Sequence, residues 1–145
     1  MARRRGTAIM TTLVLPVSFG EAADKISILE IKRERIGDPV KRAGVELELG
    51  MALASFTEQM RARPGFAQLF AELKAINIRL WEIEDAVRAC ERRQDFGPQF
   101  VRLARSVYLT NDERFRVKRE IDALFDSPIR EEKSYARYRP DEEPA

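Results

Sequence analysis

The sequence predicts an all-α fold, an up-down antiparallel bundle of about four long helices preceded by a short extended N-terminal segment. Apolar residues recur at helical spacing along most of the chain, and between residues 66 and 90 they follow an unbroken heptad pattern. Capping and helix-breaking residues separate the periodic stretches, and the short links between them favour antiparallel neighbours. With 145 residues, the chain is expected to form one domain.

The N-terminal segment, residues 1–17, is predicted to be extended because Ile9–Val17 is rich in Thr, Val and Leu. Since one strand cannot form a stable sheet, it should lie against the helices or pair with a copy of itself. Arg3–Arg5 followed by an apolar run is reminiscent of a signal peptide. Pro16 interrupts the run and no small-residue cleavage site follows, so we expect the folded domain to start here, in the cytoplasm.

The helical bundle is assigned to residues 18–126, and its first two helices have clear start signals. Ser18 and Glu21 match a capping box, and Gly37 is a suitable C-cap. Asp38 followed by proline predicts the start of a second helix, which we expect to run to about Ala62. Two glycines weaken this helix and suggest close helix approach. The glycines are Gly44 and Gly50.

The third and fourth helices carry the strongest periodicity. The third has an apolar seam with alternating steps of three and four, which is typical of coiled-coil packing. Ile78 and Trp81 lie off this seam and need a second surface, either a terminal segment or a partner chain, so a homodimer or protein partner is expected there. Gly97-Pro98 should start the fourth helix, which ends near Phe125. The seam of the third helix comprises Phe66, Leu69, Leu73, Ile76, Leu80, Ile83, Val87 and Cys90.

The alternative architecture is a long helical hairpin that completes its core by dimerising. In either case, residues 127–145 form a separate C-terminal part. Ser127-Pro128 should stop the fourth helix, residues 129–138 are predicted to form one further short helix, and the acidic, proline-containing end should fray.

Composition excludes several kinds of chemistry. The chain has no histidine and one cysteine, which removes disulfides, His-ligated zinc and nucleophiles activated by imidazole. The net charge of +2 is spread evenly, so nucleic-acid binding is not expected, and no apolar stretch approaches the roughly 20 residues of a membrane span. Glu82, Glu84 and Asp85 are distributed around the helix beside arginines, which favours a salt-bridged surface over a metal site. No metal or cofactor is therefore expected.

Polar residues beside the seams form the candidate site. If the third and fourth helices are antiparallel about Gly97, Glu84 should lie near Asn111 and Arg114. Asn77 should lie near Arg114 and Lys118. Two interpretations stay open: a partly buried polar network that fixes helix pairing, or a cationic pocket for a small carboxylate or phosphate ligand.

A secondary candidate lies near the C-terminus, where Lys133 and Tyr135 could reach a ligand or form part of a charged helix face.

Four stretches resemble a family of short bacterial proteins known only as a domain of unknown function. They are VSFGEAADKISILEIKRERI, LWEIEDAVR, LARSVYLTNDERFRVKREI and EEKSY, between Val17 and Tyr135. The resemblance implies an association with bacterial glycosyltransferases and surface-glycan assembly, and it supplies no catalytic residues. Phe115 stands where a small residue is usual in this family, which questions the packing of that helix face, and Asp122 stands where asparagine is usual.

Two functions remain after these exclusions. The first is a non-catalytic accessory or interaction protein, which the helical architecture and the lack of a nucleophile–base pair favour. The alternative is a small helical-bundle enzyme that, by analogy with chorismate mutases, uses Arg114 and Lys118, with Lys25 or Arg33, to bind an anionic substrate. The first function predicts a dimer or larger complex in solution.

Overall fold

The computed structural model describes residues 11–138 and is all-helical across them, as the sequence predicts. Four helices have 17 or 27 residues and one is a single turn. The fifth helix lies antiparallel to the fourth and follows it through a tight turn at Gly97. The helices are α1 (Phe19–Arg35), α2 (Pro39–Ser55), α3 (Glu58–Arg61), α4 (Phe66–Arg92) and α5 (Pro98–Leu124).

The first helix occupies the centre of the bundle, because α1 contacts α2, α4 and α5, whereas α2 packs mainly on α1. The predicted N-caps are confirmed. Ser18 Oγ accepts a hydrogen bond from the Glu21 amide at 3.1 Å, and Asp38 Oδ1 accepts one from Val40 at 2.9 Å. These side chains satisfy amides that have no partner within the helix, and they set the first residues of α1 and α2.

The second helix ends at Ser55 rather than near Ala62. Phe56 leaves the helix to enter an aromatic cluster and is only 3% exposed. Thr57 then caps the short helix α3 by accepting a hydrogen bond from the Met60 amide at 3.3 Å. The sequence keeps its helical periodicity beyond Ser55, but burial of the Phe56 ring is more favourable than continuing the helix, so α2 ends there. The cluster contains Phe19, Phe56, Phe66 and Phe125.

The expected close approach at Gly44 and Gly50 is wrong, because no atom lies within 4 Å of a Cβ built at either residue. The close approach occurs at Gly20 in the first turn of α1. A Cβ there would overlap the carbonyl oxygen of Lys118, so α1 and α5 touch through their backbones. The Gly20 amide also donates a 2.7 Å hydrogen bond to Asp122 Oδ1, which explains how an acidic side chain is tolerated at 1% exposure.

The heptad seam of α4 is buried only along part of its length. Leu73 and Ile76 are 0% and 2% exposed, and Cys90 is buried as expected. Ile83 and Val87, however, are half-buried. The cause is the length of α1, which ends at Arg35 beside Glu82. Within residues 11–138, α4 and α5 therefore continue as a pair with no third helix beside them. We call this part, residues 83–109, the distal hairpin.

The predicted C-terminal helix over residues 129–138 does not form. This segment runs back along α5 without helical hydrogen bonds. Lys118 binds Glu131, and the Lys133 ammonium lies 5.0 Å from the centre of the Phe115 ring. A short isolated helix would be only marginally stable, and side-chain contacts with α5 hold the segment in place of helical hydrogen bonds. The same contacts cover the Phe115 ring, so this face of α5 is packed although a large side chain stands at that position.

The N-terminal segment has no regular secondary structure over residues 11–17. It forms one wall of a groove of about 660 Å³ against α1 and α2. Its apolar side chains remain exposed, with Leu13 at 83% and Val14 at 88%. Across the described residues, no helix combines the length and apolarity that membrane crossing requires.

Candidate functional site

The centre of the predicted polar cluster is a carboxylate that the sequence did not single out. Asp24 on α1 is 2% exposed and accepts a 2.8 Å hydrogen bond from Arg114 Nε at Oδ1 and a second from Arg114 Nη2 at Oδ2. Asn77 Nδ2 donates to Asp24 Oδ1 at 2.9 Å and to Ser27 Oγ at 2.8 Å. Asp24 therefore joins α1 to both α4 and α5 through charge-assisted hydrogen bonds.

Glu84, predicted to lie near Arg114 and Asn111, lines the same groove as both but forms its ion pair elsewhere, whereas Asn111 contacts Arg114 directly. Asn111 Oδ1 accepts a 3.4 Å hydrogen bond from Arg114 Nη1. Glu84 is exposed and forms an ion pair with Arg88 on its own helix. Antiparallel packing of α4 and α5 brings the predicted residues of the two helices to the same height along the bundle. However, α1 packs against both helices and supplies a closer, buried carboxylate, that of Asp24.

Lys118 forms a second polar contact next to the first. Its side chain is 9% exposed, and its ammonium lies 2.8 Å from Glu21 Oε2 and 2.6 Å from Glu131 Oε2. Burial disfavours the charged ammonium, but the hydrogen bonds with Glu131 and Glu21 outweigh it and raise the pKa of Lys118. Its expected contact with Asn77 is replaced by these two carboxylates.

The charges of the cluster are balanced internally. The hydrogen bond with Asp24 raises the pKa of Arg114, and the hydrogen bond from Lys118 lowers the pKa of Glu131. Both shifts favour the charged form of each group in the fold. Each cation thus already holds its own carboxylates, which leaves little excess positive charge for an anionic ligand.

A weak signal in the sequence could have identified the polar residues of α1 that join the cluster. Glu21, Asp24 and Ser27 recur at steps of three beside the apolar stripe of the first helix, which places them on one flank of a helix surrounded by others. Lys25, one of the two further cations suggested from the sequence, does not join them. It pairs with Glu48 on α2, with 2.7 Å between Nζ and Oε1, and both side chains are more than half exposed.

The secondary candidates belong to the C-terminal segment. Lys133 lies between two aromatic rings, 5.0 Å from the Phe115 centroid and 5.8 Å from the Tyr135 centroid. Tyr135 is 70% exposed. The contact with Phe115 holds the segment on α5, whereas the contact with Tyr135 lies within the segment itself.

A groove opens between the middle of α1 and the neighbouring parts of α4 and α5. Its volume is about 490 Å³. One end is polar, with Asn77, Asn111 and Arg114, and the rim carries Glu84, Asp85 and Arg88. Trp81 is half-buried in the wall, whereas Ile78 is half-buried but does not line the groove. We call this the hairpin groove, and its apolar walls are Ile28, Ile31, Leu80 and Trp81.

The chemistry available in the groove suits binding better than catalysis. Arg114 is committed to Asp24, Arg88 is paired with Glu84, and the carboxylate of Asp85 adds negative charge at the rim. Apolar walls with a few polar groups at the edges are typical of sites that hold a ligand or a partner side chain. Comparison of the chain with protein-family models, with curated proteins and with solved structures gives no match.

Proposed function

We propose that this chain is a non-catalytic accessory protein that acts by binding a macromolecular partner through the hairpin groove and the distal hairpin. The observation that carries the proposal is the complete pairing of Arg114 with Asp24. An enzyme that binds an anionic substrate needs cations whose charge is available to that substrate. Here the bidentate contact with a buried carboxylate gives Arg114 a structural task.

The distal hairpin supports the second half of the proposal. Ile83 and Val87 are seam residues, yet they are half-buried, and Trp81 is half-buried beside an open groove. Partly covered aromatic and aliphatic side chains surrounded by charged residues are characteristic of interfaces between proteins. A homodimer or another protein bound at Trp81 would cover them.

The biological setting follows from the family resemblance. We propose that the protein serves the assembly of surface glycans in a bacterium, next to glycosyltransferases, and that it works in the cytoplasm. A single cysteine that is buried suits a compartment where disulfides are rare.

The alternative is a small helical enzyme that binds a carboxylate or phosphate at the polar end of the groove. One observation favours it, namely that Arg114 and Asn111 line the groove. The two functions predict different effects of substitutions at Arg114 and its partner Asp24. If Arg114 is structural, an apolar replacement of the whole pair should leave function intact, whereas an anion site requires the guanidinium itself.

Genetic complementation separates the two. The gene is deleted in its bacterium and the amount of surface glycan is measured after re-expression of variants. The accessory function predicts that the double variant Asp24→Leu with Arg114→Met restores the glycan, and that Trp81→Glu does not although it folds. If the folded double variant fails and Trp81→Glu succeeds, the proposal is wrong and the anion-binding enzyme is favoured. Unchanged glycan after deletion would refute the link to glycan assembly.

A further inference from the structure

Residues 131–138 of the C-terminal segment lie against a single stripe of α5. Four side chains of this helix, at successive steps of four, three and four residues, point to the same side. Each of the four contacts the C-terminal segment, and none of them lines the hairpin groove. We call them the α5 stripe, and its members are Tyr108, Asp112, Phe115 and Arg119.

The contacts at one end of the stripe are ionic. Arg119 Nη1 donates to the carbonyl oxygen of Glu131 and to Glu132 Oε1, both at 3.2 Å. The neighbouring Lys118 ammonium lies 2.6 Å from Glu131 Oε2, and its other partner is Glu21 of α1 at 2.8 Å. Two adjacent acidic residues of the segment therefore face two adjacent basic residues of α5, as in the recognition of acidic motifs by cations.

The remaining contacts involve aromatic rings. The Lys133 ammonium lies over the Phe115 ring. Further along, the Tyr138 hydroxyl donates a hydrogen bond to Asp112 Oδ2, and its ring packs edge-on against Tyr108 with 5.4 Å between centroids. The segment thus runs antiparallel to α5. At 1.5 Å per residue the stripe is about 16 Å long, a length that roughly five extended residues span.

The segment is attached to the helix as a bound peptide would be. Within the described chain, none of residues 128–138 belongs to the hydrophobic core, and none shares a backbone–backbone hydrogen bond with a helix. Tyr135 is 70% exposed and Tyr138 is 46% exposed. Exposed ion pairs and cation–π contacts each contribute little stability, so the segment can leave α5 while the core stays packed.

We propose that the α5 stripe is a docking site for an extended segment of a partner protein, and that residues 131–138 occupy it when this partner is absent. The bound segment defines the chemistry of the partner. Two adjacent acidic residues would bind Lys118 and Arg119, and a tyrosine six or seven positions later would bind Tyr108 and Asp112. The site is a second binding surface, separate from the hairpin groove of the proposed function.

Competition with the chain's own segment favours a different protein over a second copy. The covalent link holds residues 131–138 near the stripe at an effective concentration on the order of millimolar. A second copy offers the same contacts without that link. A partner segment of the same chemistry, with a better fit or a higher local concentration, can displace residues 131–138.

The test measures the binding of a fluorescent peptide, with the sequence of residues 130–138, to full-length chains by fluorescence anisotropy. A releasing variant carries Glu131→Gln and Glu132→Gln, which remove the acidic groups of the chain's own segment. In that background, Arg119→Gln removes a cation of the stripe. Arg116→Gln is the matched control, because this arginine also belongs to α5 but binds Glu72 on α4. Circular dichroism verifies that every variant is helical.

We expect the releasing variant to bind the peptide at least about tenfold more tightly than the wild type does, because its own segment competes less. Added to it, Arg119→Gln should weaken binding by at least about fivefold, whereas Arg116→Gln should change it by less than about twofold. A peptide with glutamine in place of both glutamates should bind at least about tenfold more weakly. If the releasing variant loses helicity, Tyr138→Ala frees the other end of the stripe in its place.

Three results overturn the proposal: no binding to the releasing variant, equal binding to the releasing variant and the wild type, or no effect of Arg119→Gln. Sedimentation velocity tests the other occupant. A wild-type dimer that the releasing variant abolishes would assign the stripe to exchanged segments of a second copy and overturn a separate partner. None of these measurements depends on Trp81 or the hairpin groove, so the proposed function stands or falls separately.

Discussion

The ion pair between Asp24 and Arg114 offers the sharpest test of what holds the bundle together. The Asp24 side chain is 3% exposed, whereas that of Arg114 is 28% exposed. Arg114→Met leaves a buried carboxylate whose remaining side-chain donor is the Asn77 amide. Breaking a buried pair in this way costs about 3–5 kcal/mol, and the partial exposure of the site places the expected loss near 3 kcal/mol.

The reverse substitution should be milder. Asp24→Leu leaves a guanidinium that water can reach through the hairpin groove, so the cost is that of lost hydrogen bonds, about 1–3 kcal/mol. The double variant removes both charges and should recover to within about 1 kcal/mol of the wild type. The single substitutions are thus expected to be strongly non-additive.

The assay is urea unfolding of all four proteins, followed by the fluorescence of the single tryptophan and by circular dichroism. The control cycle uses the exposed pair Glu72–Arg116, which also joins α4 to α5 at 2.8 Å. There we expect a coupling of about 0–1 kcal/mol. If the effects of Asp24→Leu and Arg114→Met add to within about 0.5 kcal/mol, the buried pair does not couple the helices as described.

Three further predictions concern the contacts of α1 and α5. Gly20→Ala forces a methyl group onto the carbonyl oxygen of Lys118 and should lower the free energy of unfolding in urea by about 1–3 kcal/mol. Gly44→Ala is the control, because the space around Gly44 is open, and it should raise that free energy by about 0.5–1 kcal/mol. Effects of equal sign would contradict the close approach at Gly20. Ser18→Ala should cost about 1 kcal/mol by loss of the cap, and an unchanged unfolding midpoint would argue against it. Because the pKa of Glu131 is lowered in the fold, its contribution is present above the ordinary value of 4.5 and is lost as the pH falls through the lowered value. NMR relaxation of residues 129–138 should therefore show that the C-terminal segment loosens at acid pH in the wild type, and already at neutral pH in Glu131→Gln.

The sequence was informative wherever a feature depends on neighbours along the chain. The caps at Ser18 and Asp38 and the helices on either side of Gly97 follow from local hydrogen bonding and from heptad periodicity, and all were predicted. The polar character of Asn77, Asn111, Arg114 and Lys118 also marked them as an unusual group. Periodicity does not reveal which third helix packs beside a pair such as α4 and α5.

The errors at Glu84 and Gly20 have that cause. The spacing on α4 and α5 alone predicts that Glu84 lies beside Arg114, but α1 inserts next to both helices and supplies Asp24 as the partner. Gly20 was overlooked for the same reason, since its significance lies in the approach of α5 and not in its own helix. The C-terminal residues around Glu131 have helical composition, yet their contacts with α5 determine their path.

The long-range contacts of α1 also set an order of events during synthesis on the ribosome. Gly20, Glu21 and Asp24 bind residues that lie 102, 97 and 90 positions later in the chain. At a translation rate of about 5–20 residues per second, roughly 5–20 seconds pass before those partners are made. During this interval α1 can pack only on α2 and then on α4, with its acidic flank in water and the apolar surface meant for α5 uncovered. A ribosome that stalls before α5 would hold a chain exposed to aggregation, which makes completion of the last helix the step that commits the nascent protein to its fold.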